Sequence, residues 1–165
     1  MKSSTRADFL YKRMKAICVI DGDVKGEIIF RQQSPKHLVH ITGFIMNLPK
    51  GMHGLHVHEF GDTSNGCTSA GEHFNPTNSD HGAPNAIVRH VGDLGNIETK
   101  FSNTLTEIDK IDNVLTLFGE HSVLGRSLVV HTNRDDLGLT DHPLSKITGN
   151  SGGRLGCGII GYAVK

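Results

Sequence analysis

Histidines are concentrated in one stretch of the sequence, between Gly54 and Asp93. The chain has 165 residues and eleven histidines. Five of them lie in this stretch: His56, His58, His73, His81 and His90. Neutral imidazole is the commonest nitrogen ligand for zinc and copper, and Asp93 and Cys67 add a carboxylate and a thiol. These residue types indicate metal binding and leave open which metals bind.

His56 and His58 stand two residues apart in a segment, 54–60, whose pattern predicts a strand. Side chains two apart in a strand point to the same face, so both imidazoles could reach one ion from a rigid element. An isolated pair of this kind is more often two polar residues on a solvent-exposed face. Here three more histidines and Asp93 follow within one polar loop, and the joint arrangement favours metal coordination.

Short strands surround this stretch. Alternating or β-branched runs bounded by turn residues predict eight strands, over 15–21, 26–33, 37–46, 54–60, 91–99, 104–110, 127–132 and 156–164. The segments 61–89 and 133–154 are rich in Gly, Asp and Ser, and loops that long are rare unless something such as a metal orders them. We expect an all-β fold, an eight-stranded Greek-key β-sandwich or flattened barrel of immunoglobulin-like type with two long functional loops. Residues 113–125 are apolar enough to form a packed connection.

Composition and charge argue against several functional classes. Seventeen basic residues balance seventeen acidic ones, so no overall field attracts nucleic acid or an anionic membrane. The sequence has no apolar run approaching the roughly 18 residues that span a bilayer, and residues 1–13 lack the apolar centre of a secretory signal. We therefore expect a cytoplasmic domain over residues 14–165 with no nucleic-acid or membrane partner. Residues 1–13 are expected to be an extension, either disordered or introduced by cloning.

Six segments, in order, resemble the copper/zinc superoxide dismutase family. They read GLHVHEFGD, GCTSAGEHFNP, RHVGDLGN, GRSLVVH, DDLG and TGNSGGRLGCGIIG, and the resemblance extends from Met14 to Lys165. It implies an antioxidant enzyme that disproportionates superoxide to dioxygen and hydrogen peroxide. The implied chemistry is alternating Cu(II)/Cu(I) redox at one copper ion per chain, bridged to one structural zinc ion.

The resemblance also implies which residues bind each metal. The expected copper ligands are His56, His58, His73 and His131. The expected zinc ligands are His73, His81, His90 and Asp93. His73 would bridge the metals and pass a proton in catalysis. An all-imidazole set suits both oxidation states of copper, and a closed set of three imidazoles and one carboxylate suits structural zinc.

Further residues gain roles from the same resemblance. Asp135 would link a copper histidine to a zinc histidine and orient both, although a loop acid of this kind can also be a helix cap or a solvated charge. Arg154 would be catalytic by docking the superoxide anion, because a guanidinium is always charged and presents several donors; the alternative is an ordinary surface arginine. Lys146 and Thr148 would line the channel to the copper.

The cysteines also match the family pattern. Cys67 and Cys157 correspond to its intrasubunit disulfide, although two reduced thiols would be the default in the cytosol. Cys18 lies in an alternating strand and is expected to be a small buried residue.

Two positions depart from the family pattern. Pro143 stands beside a position where many members carry an acid that helps guide superoxide. Asp141 compensates only in part, so we expect weaker electrostatic guidance of superoxide. The family is itself a known example of such steering. Tyr162 lies where the family dimer interface usually has an aliphatic residue. The other residues expected at that contact are Phe60, Gly61, Leu124, Gly125 and Ile160. A homodimer, supplied with copper by a chaperone, is the expected assembly.

Two other functions fit these residues less well. A copper-binding or copper-delivery homologue without turnover would commonly lack a copper histidine or the channel arginine and would carry an additional CxxC domain, whereas this chain has the histidines and Arg154 and no CxxC. A zinc hydrolase would need an open zinc position, whereas the zinc set is closed. The remaining histidines are expected to be surface or structural residues: His37, His40, His53, His121 and His142.

Overall fold

The computed structural model describes residues 13–164, whose regular secondary structure is almost entirely β-strand. The strands are β1 (Met14–Gly22), β2 (Lys25–Gln32), β3 (Val39–Met46), β4 (Gly51–His58), β5 (Ser64–Cys67), β6 (Asp93–Thr99), β7 (Thr106–Asp112), β8 (Ser127–His131) and β9 (Arg154–Tyr162). The described helical elements are one 3-10 turn, Thr68–Ala70, and the short helix α1, Ser145–Thr148. The predicted extension over residues 1–13 lies outside the described residues, apart from Arg13, and stays a prediction.

Eight of these strands form one antiparallel sheet in the order β6-β4-β8-β9-β1-β2-β3-β7. The sheet curls until its two edge strands, β6 and β7, come close to each other, which makes a nearly closed flattened barrel. Strands β1, β2 and β3 are consecutive neighbours, whereas β4 lies between β6 and β8, and β1 lies beside β9. The predicted all-β, eight-stranded fold is confirmed.

Alternation of buried and exposed side chains explains the strands that were predicted. In β1, Ala16 and Cys18 are 0% exposed and point into the core, whereas Val19 is 62% exposed. The prediction of a buried Cys18 is therefore confirmed. Strand β8 has no such alternation, since all five of its residues are buried. The barrel core covers one face of a central strand, so the long loops must cover the other.

Two long connections lie against the outer side of β4 and β8. They run from β4 to β6 and from β8 to β9. A backbone hydrogen bond joins them: the His81 N–H donates to the Lys146 carbonyl at 2.8 Å. The segment 113–125 packs as expected, with Leu115, Leu117 and Val123 buried in the main core. Within residues 13–164, neither helical element has the length and apolar character needed to cross a bilayer.

Candidate metal centre

Three histidines lie on the two central strands that the loops cover. His56 and His58 project from β4, and His131 is the last residue of β8, the strand that pairs with β4. His73 joins them from the first loop through an isolated β-bridge with His58. Gly54 gives His56 its space, because a Cβ at Gly54 would lie only 2.9 Å from Cε1 of His56.

These four histidines form the first of two clusters. One ring nitrogen from each lies within 4.8 Å of the others: His56, His58, His73 and His131. The hydrogen bonds show which nitrogens converge. His58 Nδ1 donates to the Gly71 carbonyl at 2.8 Å, which leaves its Nε2 to face His131 Nε2 at 3.2 Å. The cluster is thus a set of inward-facing imidazole nitrogens held by bonds at the outer side of each ring.

The cluster is buried, and its imidazoles are neutral at pH 7. Burial and the neighbouring histidines lower the pKa of His56 and of His58 well below the ordinary value. Burial also lowers the pKa of His73, and it lowers that of His131 to about 4. Neutral imidazoles keep the lone pair that a metal requires.

A second cluster adjoins the first and consists of His73, His81, His90 and Asp93. Its centre is Asp93 Oδ1, which lies 3.0 Å from His73 Nδ1, 2.9 Å from His81 Nδ1 and 3.1 Å from His90 Nδ1. Asp93 Oδ2 accepts the backbone N–H groups of Gly82 and His90, so the carboxylate orientation is fixed. Burial raises the pKa of Asp93, but the close imidazoles of His73, His81 and His90 outweigh burial and hold this pKa far below its usual range.

His73 belongs to both clusters. Its Nδ1 lies in the second cluster, beside Asp93, and its Nε2 has no hydrogen-bond partner. One buried imidazole therefore presents one nitrogen to each cluster, and the metal-bridging role that the family resemblance implies for it stays a prediction.

Asp135 connects the two clusters by contacting His56 and His81 at the ring nitrogens that face away from the cluster centres. The carboxylate is fully buried and accepts from His56 Nε2 at 2.9 Å and from His81 Nε2 at 2.8 Å. These bonds place the protons of both imidazoles on Nε2 and leave both Nδ1 atoms for the clusters. Burial lowers the pKa of His81, but Asp135 and Asp93 outweigh burial and raise it to about 9, so a metal ion bound at this residue would displace a proton.

The unpartnered atoms test whether metals fit. Among the described residues, the buried side-chain nitrogens and oxygens without a hydrogen-bond partner are His56 Nδ1, His73 Nε2, His81 Nδ1 and Ser151 Oγ. His81 Nδ1 is close to Asp93 Oδ1 but lacks hydrogen-bond geometry. Leaving a buried polar atom unpaired costs about 1 to 3 kcal/mol. Three of the four atoms face the clusters, so bound metal ions would satisfy the atoms that the protein leaves unpaired.

Arg154 lies beside the first cluster. It is the first residue of β9 and pairs with His131 across the sheet. Its guanidinium donates to the carbonyls of Cys67 and Gly71, each at 2.6 Å. Gly71 is also the acceptor for His58, so the arginine and a clustered histidine share one peptide group. A half-buried cation is thus fixed at the edge of the histidine cluster.

Lys146 and Thr148 lie on α1, within the second long loop. Lys146 is exposed, and Thr148 makes a local hydrogen bond from Oγ1 to the Leu144 carbonyl. The described contacts of these two side chains do not include the histidines, so their role in the channel stays a prediction. Pro143 is exposed just before this helix, and Leu144 and Ile147 beside it are exposed apolar residues.

The predicted disulfide is present. Cys67 in β5 is bonded to Cys157 in β9, at a separation of 90 residues. Ala70 and Val129 pack with it in a small second core. The bond therefore ties the beginning of the first loop to the barrel.

The remaining histidines lie outside the clusters. His53 is buried, with Nδ1 at 3.0 Å from the His131 carbonyl and Nε2 at 2.9 Å from the Pro49 carbonyl, which confirms its structural hydrogen bonding. His37 bonds Ser34, and His40 bonds Asp109 at the surface. His121 and His142 are exposed.

A family model described as copper/zinc superoxide dismutase (SODC) matches residues 24–160. The chain belongs to the copper/zinc superoxide dismutase family. Copper and zinc are the metals of this family, and the two clusters offer donor sets suited to them. The predictions of the family and of an enzyme of the copper/zinc superoxide dismutase type are confirmed.

Relatives in this superoxide dismutase family cover nearly the whole chain. A protein of Autographa californica nuclear polyhedrosis virus is 69% identical over 147 residues, which is 89% of this chain and 97% of the relative. A protein of Orgyia pseudotsugata multicapsid polyhedrosis virus is 68% identical over 148 residues, which is 90% of this chain and 97% of the relative. Both are named, provisionally, as Cu-Zn superoxide dismutases.

Arg89 and Asp112 are residues near the site that the sequence did not single out. They form a buried ion pair beside His90. The two residues are 23 positions apart and share no motif, so no local signal could have paired them. The position of Arg89 next to a predicted ligand was the one available indication.

Proposed function

We propose that this chain disproportionates superoxide to dioxygen and hydrogen peroxide. The observation that carries the proposal is the buried His73, whose two nitrogens belong to two adjacent clusters of potential metal ligands, in a chain of this family. Bound copper supplies one-electron chemistry by alternating between Cu(II) and Cu(I), and zinc, which has no redox chemistry, orders the loop.

The ligand sets follow from the two clusters. We assign His56, His58, His73 and His131 to copper. We assign His73, His81, His90 and Asp93 to zinc. In this assignment Asp135 keeps the Nε2 atoms of His56 and His81 protonated, so that Nδ1 of each faces its metal. His73 Nε2, the unpaired nitrogen of the shared ring, is the atom that takes up a proton during turnover and returns it to the product.

Arg154 serves to dock the anionic substrate in this proposal. Its guanidinium is held by the Cys67 and Gly71 carbonyls beside His58 and His131, and it adds positive charge there. Guanidinium donors left over from those bonds are suited to a small anion. Lys146 and Thr148 would form part of the rim around it.

We also propose a homodimer, formed through the outer face of β1 and β9. Val19, Ile159 and Tyr162 are exposed there, and they line or adjoin a wide groove that reaches the disulfide. One expected contact residue was wrong: Ile160 is 0% exposed and lies in the core, whereas Ile159 is 44% exposed, because neighbouring strand residues face opposite sides. Ile159→Lys should give monomers by light scattering with the fold retained; an unchanged mass would refute this interface.

Delivery of copper by a chaperone and a cytoplasmic location remain part of the proposal. They are supported by the family membership. Fractionation of expressing cells would test the location, and recovery of the chain in the secreted fraction would refute it.

The decisive experiment pairs metal analysis with superoxide consumption. The chain loaded with copper and zinc should contain one of each metal and should consume superoxide measured directly by its ultraviolet absorbance. His131→Ala should abolish consumption and leave zinc bound, and His142→Ala, an exposed histidine outside the clusters, should change neither. A chain that binds both metals and consumes no superoxide would overturn the enzymatic proposal in favour of a copper-binding homologue.

A further inference from the structure

A buried ion pair lies just outside the second histidine cluster. Arg89 Nη1 lies 2.7 Å from Asp112 Oδ2, and the two side chains are 1% and 3% exposed. Within residues 13–164, it is the one buried ion pair between an arginine and a carboxylate. Burying such charges costs several kcal/mol unless further hydrogen bonds satisfy them. The partners of the remaining donors therefore show what the pair does.

The other donors of Arg89 hold the loop that carries two proposed zinc ligands. Nη1 donates to the Pro84 carbonyl at 2.7 Å, Nε to the His90 carbonyl at 3.0 Å and Nη2 to the Val91 carbonyl at 3.2 Å. The His90 carbonyl also accepts the Asp93 N–H at 3.3 Å, which closes the turn between these two ligands. One guanidinium thus fixes the backbone on both sides of His90.

Asp112 connects this loop to the barrel. It is the last residue of β7, and its Oδ1 accepts the N–H groups of Val114 at 2.8 Å and Leu115 at 2.6 Å. Leu115 lies in the main core. The turn held by Arg89 leads into β6, which is the opposite edge strand of the sheet. The ion pair therefore joins the ligand turn to a rigid position across the barrel seam.

We propose that Arg89 and Asp112 are a positioning pair that sets how long zinc is retained. The pair holds the turn of His90 and Asp93 in its ligand arrangement before zinc binds, so zinc meets a prepared site and leaves it slowly. Neither residue contacts the metal. The inference rests on the proposed zinc ligand set.

Arg89→Lys tests the pair, because lysine keeps the charge but cannot reach three carbonyls and a carboxylate together. Asp112→Asn is the second variant, since its amide oxygen can still accept from Val114 and Leu115. Arg31→Lys is the matched control, on an exposed arginine that bonds Thr42. Zinc release from the zinc-loaded, copper-free chain to a coloured chelator gives the rate, and Co(II) in place of zinc gives a spectrum sensitive to ligand geometry.

We expect both test variants to release zinc about 10- to 100-fold faster than the unchanged chain, with an altered Co(II) spectrum, and the control to match the unchanged chain. A purely structural role would lower the stability of the metal-free and zinc-loaded chains equally and leave the release rate unchanged, and that result would overturn the proposal. His90→Ala separates the two levels of inference. If it leaves zinc affinity unchanged, the ligand set itself is wrong; if it weakens zinc and the Arg89 and Asp112 variants release zinc at the normal rate, only the positioning role fails.

Discussion

Removal of the disulfide between Cys67 and Cys157 should lower the free energy of unfolding by a large fraction. The bond spans 90 residues, and in the chain-entropy account a cross-link over such a loop disfavours the unfolded chain by about 4 to 5 kcal/mol at 25 °C. Single domains have total stabilities of about 5 to 15 kcal/mol. Without the bond, the metal-free chain should therefore be close to its stability limit at physiological temperature.

The same bond should affect the site within the folded state. The Cys67 carbonyl accepts from Arg154, and the disulfide packs with Ala70 and Val129 in the small second core. Once the bond is broken, this acceptor is no longer tied to β9. We expect slower superoxide consumption even at temperatures where the chain stays folded.

Urea unfolding of the metal-free chain, followed by circular dichroism, provides the measurement. The Cys67→Ala/Cys157→Ala variant should lose about 4 kcal/mol relative to the oxidised chain, and its denaturant dependence should steepen because the free unfolded chain exposes more surface. Cys18→Ala keeps the disulfide and should respond to reductant as the unchanged chain does. A loss below about 1 kcal/mol in the double variant would refute the chain-entropy reasoning for this loop.

Four further outcomes are expected. Asp135→Ala removes the acceptor shared by a histidine of each cluster, and competition titrations should show about 10- to 100-fold weaker binding of both metals; unchanged affinities would mean that the rings keep their orientation without it. Arg154→Ala should slow superoxide consumption by about 10-fold or more at low salt with both metals still bound, and an unchanged rate would exclude docking at this residue. Burial raises the pKa of the Cys18 thiol to about 12. Since the folded state holds this proton more tightly, stability should be unaffected at neutral pH and fall by up to about 4 kcal/mol as the pH rises from about 9 to 12, a fall that Cys18→Ala should remove in alkaline unfolding experiments. Because Pro143 supplies no charge beside the predicted channel, the superoxide rate constant should depend on ionic strength less than in a family member with an acid there, and an equally steep dependence would contradict this.

Strands and ligands were predictable to different degrees for physical reasons. Strand β1 was predictable because its alternation reports burial directly. The four residues of β5 were missed because Ser64–Cys67 includes no apolar alternation, and α1 was missed because four residues are too few for helical periodicity. The histidine clusters were predictable because metal ligation restricts residue type and spacing, and the family resemblance supplied the distant His131.

Interactions between distant segments were beyond local patterns. The pairing of Arg89 with Asp112 depends on how the edge strands of the barrel meet, which no periodicity in either segment encodes. The error at Ile160 arose because Ile159 and Ile160 are chemically identical neighbours, so the direction of each depends on strand register. Sequence patterns identify which residues have suitable chemistry, whereas strand register and the approach of the edge strands β6 and β7 decide which of those residues come into contact.

The Gly71 carbonyl, which accepts from both His58 Nδ1 and Arg154 Nη2, limits how this protein could be redesigned. Gly71 has a φ of 76°, which residues other than glycine rarely adopt, and a Cβ there would lie 2.7 Å from the Phe60 ring. Gly71 therefore cannot be substituted without moving its carbonyl group or the Phe60 side chain. A change in the loop that moves this oxygen would alter the surroundings of the proposed copper ligand His58 and the position of the Arg154 guanidinium together. Under the proposed roles of these two residues, reduction potential and substrate affinity would be linked traits, and directed evolution of either should produce correlated changes in the other.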